Sequence, residues 1–347
     1  MKKIIFSCLF AGLVSGLSAQ LKSEVNAFLG IGFAADQKAH GNTGVALPTG
    51  SGAFWYNPAL PAQSNQHSVH YTHAALFGNL AVFDVASYSR KLNETTSIGI
   101  GFARMGVDDI QNTLALFDEN DEVDYSRIST FSASDQVLYL SGNKVWKSYT
   151  VGVGAKLIYR KIGDFASAIG IGFDLGIAGK WKGWDVGAAL KDATTTTSYW
   201  IMDFTEDEKA VFDATGNDIP ENGTESMAPH LVFGFSKKFR ITDKIEARPI
   251  VDLELYPYQR GTPVETSWIS LDPKVGAQIY YKTIFAVNLG VERWQNFETQ
   301  DGAKINQISP TMGVELRLKR FRIQYGLSSV GEDSDLLNNV FGIGVQF

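Results

Sequence analysis

The sequence predicts an all-β chain, a transmembrane barrel of the outer-membrane type with about fourteen antiparallel strands and an N-terminal segment lodged in its lumen. Three observations lead there. Apolar residues recur at period two opposite glycines and charges, the segments that do so come to an even number, and the connections between them alternate short and long.

The first observation is clearest over "FASAIGIGFDLGIAG". Ile169, Ile171, Phe173, Leu175 and Ile177 fall on one side of a strand and Gly170, Gly172, Asp174, Gly176 and Ala178 on the other. Val151, Val153, Ala155, Leu157 and Tyr159 repeat the pattern, and so do Met312, Val314, Leu316 and Leu318. A soluble sandwich also alternates, but its outward face carries large polar side chains. Glycine and charge sharing one face suits lipid outside and a crowded polar lumen inside.

Strands start near residues 67, 79, 95, 135, 149, 166, 183, 229, 244, 269, 283, 307, 321 and 338. Every second connection is short: "KLNET", "GNKVWKS", "GKWKG", "FRITDK", "YYKT" and "LKRF". The other set includes 107–134 and 192–227, the long loops expected outside, so both termini are placed in the periplasm. Trp146, Tyr149, Trp181 and Trp184 flank the short turns, while Tyr199, Trp200, Trp268 and Trp294 flank the long loops, as two interfacial girdles would. "VFGIGVQF" ends the barrel with an aromatic on the lipid face.

The front of the chain reads as a secretory signal. Lys2 and Lys3 precede an apolar run from Ile4 to Leu17, and Ser18 and Ala19 set a cut after Ala19. A retained anchor is the alternative, but the run is shorter than the ~20 residues a bilayer needs. The cut removes Cys8, the one cysteine, and with it disulfides, thiolate metal sites and thiol nucleophiles. The formal net charge of −6 becomes more negative once Lys2 and Lys3 leave, which excludes a generic nucleic-acid binder. The expected division is a signal over 1–19, a plug over 20–66 and a barrel over 67–347, with a bacterial outer membrane and its lipopolysaccharide as surroundings.

The segment 20–66 is not needed to build the wall. Phe54, Trp55 and Tyr56 are costly to leave in water, and inward glycines such as Gly152, Gly170 and Gly172 admit another backbone. The expected plug residues are Asp36, Phe54, Trp55, Tyr56, Asn57 and Pro58, with Pro58 holding Asn57 extended. A periplasmic lid or arm is the alternative.

"FLGIGFAADQKAHGNTGVALPTGSGAFWYNPALPAQ" resembles the N-terminal signature of the PorV/PorQ family of Bacteroidetes outer-membrane proteins, itself related to FadL-type fatty-acid channels. Asp36, Gly41, Gly44, Val45, Ala46, Trp55, Asn57, Pro58, Ala59 and Leu60 match, while Gln37, Lys38, His40 and Pro61 depart. The resemblance implies a non-enzymatic role in type IX secretion, as a partner of the translocon or a shuttle that carries exported cargo to an attachment complex, with translocon proteins, attachment-complex proteins or cargo as its partners. A FadL-like passive channel for a hydrophobic small molecule is the second expectation.

Residue chemistry gives no support to an enzyme. His67, His70 and His73 alternate faces on one strand and cannot converge on a metal, and no Gly-x-Ser-x-Gly elbow occurs. No cofactor is expected. Lys156, Arg160, Asp174, Arg248, Glu292, Glu315 and Arg317 face inward with both signs, as a compensated lumen network. The long loops are acidic, which solvation alone would explain. The other reading is a partner-docking surface in which Phe117, Ile201, Met202, Phe204, Val211 and Phe212 are apolar anchors.

Overall fold

A computed structural model describes residues 25–47, 52–60, 67–116, 122–298, 304–329 and 336–347. The expected cleavage at Ala19 and the anchor Phe117 lie outside the described residues. Fourteen antiparallel strands form one closed sheet in chain order. They are β1 (Ser68–Leu76), β2 (Ala81–Lys91), β3 (Thr96–Asn112), β4 (Ser129–Trp146), β5 (Tyr149–Ile162), β6 (Ala166–Trp181) and β7 (Trp184–Lys191, resuming at Thr196–Met202). Then come β8 (Gly223–Met227, resuming at His230–Ser236 and Phe239–Arg240), β9 (Ile245–Tyr256), β10 (Ser270–Tyr281), β11 (Phe285–Glu298), β12 (Lys304–Leu318), β13 (Phe321–Ser329) and β14 (Leu337–Gln346). β1 pairs with both β2 and β14, from Ser68↔Gln346 to Ala75↔Asn339, so the sheet has no free edge.

The wall is inside-out relative to a soluble core. Val153 is 59% and Ile169 is 67% exposed, whereas inward Lys156, Asp174 and Glu315 are buried. Such a register is stable only in hydrocarbon, and it sets a test. Leu175 sits on the outer face of β6, paired with Val153, about midway between the Trp181 and Ile169 levels. Leu175→Arg is expected to cost about 2–4 kcal/mol near the bilayer midplane. Leu175→Ile is expected to cost under about 1.5 kcal/mol. Denaturant titration of the vesicle-inserted barrel reads the difference, and equal costs would contradict the register.

Two corrections concern the long loops. The connection expected over 107–134 narrows to 113–128, because β3 continues past a bulge between Val107 and Ile110, with Asp109 left-handed at φ 57°, and β4 starts at Ser129. The one expected over 192–227 is largely ordered. Thr196–Met202 and Gly223–Met227 pair with each other and continue the wall beyond breaks at 192–195 and at Ala228–Pro229. Between them lies helix α2 (Glu206–Ala214), numbered after the luminal α1 (Ala35–Ala39). Thr205 caps α2 in a capping box with Glu208, and Glu206, Asp207 and Glu208 fill its first turn.

The described part of the N-terminal segment fills the lumen. Phe33 stacks on Trp55 at 4.3 Å, and Trp55 on Tyr139 of β4 at 5.0 Å. Trp55 Nε1 donates to Ser87 Oγ at 2.9 Å, and Tyr56 hydroxyl donates to Asn42 Oδ1 at 2.9 Å. Asn57 Oδ1 accepts from Ala59 N at 2.9 Å while its Nδ2 donates to Val45 O and Ile177 O, tying a plug turn to β6. Pro58 presents its carbonyl to Asn143 Nδ2 at 3.2 Å. Asp36 is buried on α1. Glycines make room at the wall, since a Cβ at Gly152 would lie 2.3 Å from Pro58 and one at Gly276 would lie 2.0 Å from the His40 carbonyl oxygen.

Candidate functional site

β5 gives the order of the lumen from the long-loop end to the plug. Its inward positions are Ile162, Arg160, Ile158, Lys156, Gly154 and Gly152, two residues and roughly 6.6 Å apart along the strand.

At the level of Ile162 the inner face opens into a cavity of about 490 Å³. Its walls come from the ends of β3 (Gln111, Asn112) and β4 (Phe131), the start of β6 (Phe165, Ala166), the upper part of β7 (Trp200, Met202), and Phe204, Phe212, Pro220 and Glu225. The rings pack in a chain. Phe131 meets Phe165 edge-on at 5.1 Å, Phe165 meets Phe204 at 6.0 Å, and Phe204 meets Phe212 of α2 at 5.2 Å. Period-two geometry places Trp200 and Met202 inward and leaves Ile201 outward, 47% exposed.

The expected anchors fall in three places. Met202, Phe204 and Phe212 line a cavity, Ile201 lies on the outer face, and Val211 is half-buried on α2. The cavity was missed because its apolar residues are scattered over segments taken for loops, and only the fold brings them together. Glu225 is the one ionisable group among the described lining residues.

Arg160, one inward position below Ile162, contacts two of the cavity's lining residues. It lies 4.8 Å over Trp200 and pairs with Asp135 at 2.7 Å and Glu225 at 3.4 Å. Two residues inward from Ile158, Lys156 pairs with Asp174 at 2.9 Å and with Asp192. Asp174 also accepts from Tyr139 hydroxyl at 3.0 Å and from the Asp192 backbone N–H at 2.9 Å. Lys191 joins this network to the plug, with Nζ 2.6 Å from the Trp55 carbonyl and 3.3 Å from Asp174. Asp192, expected among solvated loop acids, is buried because the break in β7 turns it into the lumen with left-handed φ 54°.

Two further groups of luminal charges involve the other expected residues. Glu292 pairs with Lys38 of the plug at 2.5 Å, and nearby Lys274 pairs with Glu254 at 2.6 Å. Toward the short-turn end Glu315 holds Arg317, with Arg322 at 3.6 Å, and Arg317 lies 4.7 Å over Tyr280. Arg248 Nε makes no hydrogen bond among the described residues. On β1, His70 turns inward to Gln324 at 2.8 Å while His73 meets Asp84 on the other face. The arrangement offers binding and electrostatic compensation.

No protein-family profile and no curated protein sequence matches the chain. Solved structures do. The monoaromatic hydrocarbon channel CymD matches with TM-score 0.56 at 13% identity, over 91% of this chain and 98% of its own. The toluene transporter TbuX of Ralstonia pickettii matches with TM-score 0.54 at 15% identity, over 91% and 98%. A FadL homologue of Pseudomonas aeruginosa matches with TM-score 0.51 at 11% identity, also over 91% and 98%. The fold is therefore that of the FadL-type outer-membrane barrels. The type IX secretion role is corrected by these matches, which are to channels, and the PorV/PorQ assignment has no support. The motif around Asn57 and Pro58 seats a plug in a barrel wall, so it marks the architecture and carries no information about secretion.

Proposed function

We propose that the chain is a passive channel of a bacterial outer membrane that takes up neutral hydrophobic small molecules from the side of its long loops. The cavity beneath α2 carries this reading, because a preformed apolar recess with few polar groups is what such a ligand needs. Five aromatic side chains supply its walls. The resemblance of the fold to channels named for toluene and monoaromatic hydrocarbons points the same way.

Charge selects against acids. A carboxylate ligand would meet Glu225, and the guanidinium of Arg160 is already engaged by Asp135 and Glu225 and covered by Trp200. Burying an unpaired carboxylate there is costly, whereas a neutral ring loses nothing electrostatically. Permeation beyond the cavity requires the plug to move, since the lumen below Lys156 is occupied. The reading invokes no bond making or breaking.

Liposome influx tests it. Wild-type protein is expected to admit toluene faster than empty liposomes do, and faster than it admits a long-chain fatty acid. Phe165→Asp with Phe204→Asp places charge in the recess and removes two walls, and is expected to cut toluene flux about tenfold or more. Heat-modifiable gel mobility checks that the barrel still forms. Wild-type flux equal to that of empty liposomes, or unchanged flux in the folded double variant, would overturn the proposal.

A further inference from the structure

Four of the short turns share a pattern that neither the wall nor the channel explains. Lys147, Lys182, Lys282 and Lys319 each occupy the first turn position after a strand, and each has a left-handed backbone, with φ of 57°, 48°, 50° and 50°. Turn chemistry favours glycine or asparagine at such a position, because the Cβ of other residues crowds the following carbonyl. Lysine is among the residues that gain least there, yet it recurs in four separate hairpins. Backbone geometry therefore does not select it, which leaves its charge.

The surroundings repeat as well. The turns read Trp146-Lys147-Ser148-Tyr149, Trp181-Lys182-Gly183-Trp184, Tyr281-Lys282-Thr283-Ile284-Phe285 and Leu318-Lys319-Arg320-Phe321. Trp146, Trp181, Tyr281 and Leu318 stand on the outer, lipid-facing side at the ends of β4, β6, β10 and β12, and all are exposed. Three of the ammonium groups lie over these rings, Lys147 at 5.2 Å from Trp146, Lys182 at 5.0 Å from Trp181 and Lys282 at 5.5 Å from Tyr281. All four lysines are exposed, and none has a carboxylate partner among the described residues.

We infer that this rim of aromatic-backed lysines is a binding surface for the phosphate groups of anionic phospholipids in the leaflet at the short-turn end. Continuity argues for a lipid: the rings end the same outward rows of side chains that face hydrocarbon, so the next group along the surface lies at headgroup level. Charge complementarity argues for an anionic headgroup, since unpaired ammoniums held at a fixed height attract phosphate. The aromatic ring beneath three of the four ammoniums keeps them at that height instead of letting them extend into solvent. Among the described residues the acidic long-loop end presents no such rim, so the two ends of the barrel differ in chemistry.

The test uses the whole chain and asparagine, which removes the charge and suits the left-handed turn. The variant combines Lys147→Asn, Lys182→Asn, Lys282→Asn and Lys319→Asn. Native mass spectrometry in mild detergent counts bound phosphatidylglycerol against phosphatidylcholine. Wild type is expected to retain phosphatidylglycerol preferentially, and the variant to lose that preference by at least about fivefold. Its unfolding midpoint is expected to be unchanged or higher. A second measurement needs no variant: brominated phosphatidylglycerol is expected to quench the wild-type tryptophan emission at lower mole fraction than brominated phosphatidylcholine. Equal quenching by the two lipids, or equal phosphatidylglycerol retention by the folded variant and wild type, would overturn the inference.

Discussion

Replacing Lys156 by methionine is expected to destabilise the folded barrel by about 3–5 kcal/mol, the usual result of removing one partner from a buried ion network. The chain length is conserved, so little packing is lost. What remains is Asp174 and Asp192, both buried and joined through the Asp192 N–H, with Lys191 3.3 Å from Asp174 and His230 3.6 Å from Asp192. Adding Asp192→Asn to Lys156→Met is expected to restore most of the stability, because the remaining Asp174 and Lys191 pair with each other and the site is then neutral. Urea titration of the vesicle-inserted protein gives both numbers. A loss below about 0.5 kcal/mol for Lys156→Met would mean that water already screens the network.

The second large effect is expected at Gly276. The wall at β10 and β11 receives the plug turn at His40 and Gly41, where Gly41 has φ 84° and Gly41 N–H donates to Thr311 Oγ1 at 2.9 Å. A leucine at position 276 cannot share that space, because its Cβ alone would lie 2.0 Å from a backbone oxygen held by hydrogen bonds on either side. Gly276→Leu should therefore leave the wall able to close while unseating the plug. Single-channel recording in planar bilayers is expected to show conductance on the order of ten times that of wild type or more, approaching that of an open lumen. A folded Gly276→Leu barrel with wild-type conductance would show that the plug adjusts without leaving.

Much of the wall was legible because period two is a strong signal when one face meets lipid and the other meets a plug. Ile169 to Ile177 set the register of β6, and the contrast between "WKG" and the long connection after Lys191 located the two ends. The plug was legible from the cost of exposing Phe54, Trp55 and Tyr56. What failed was the reading of acidic stretches as loops. Asp192 and Glu225 are acids in apparently solvated segments, yet a break in β7 carries one into the lumen and an extension of β8 carries the other to the cavity wall. Helix α2 could have been read, since Thr205 and Glu208 spell a capping box. The cavity could not, because Phe131, Phe165, Trp200 and Phe212 meet only through pairings among β4, β6 and β7 and the docking of α2.

The plug contacts described above also fix an order of events in time. Gly41 bonds to Thr311 across 270 residues of sequence, and α1 packs on β11 to β14. Contacts of that separation form late, since a long loop must close before they repay its entropy. A finished barrel offers the plug no side entrance, because β1 and β14 pair along nearly their whole length. The N-terminal segment is therefore expected to reach its seat late and through an open end of the lumen, so that the β1–β14 seam can join before the plug is buried.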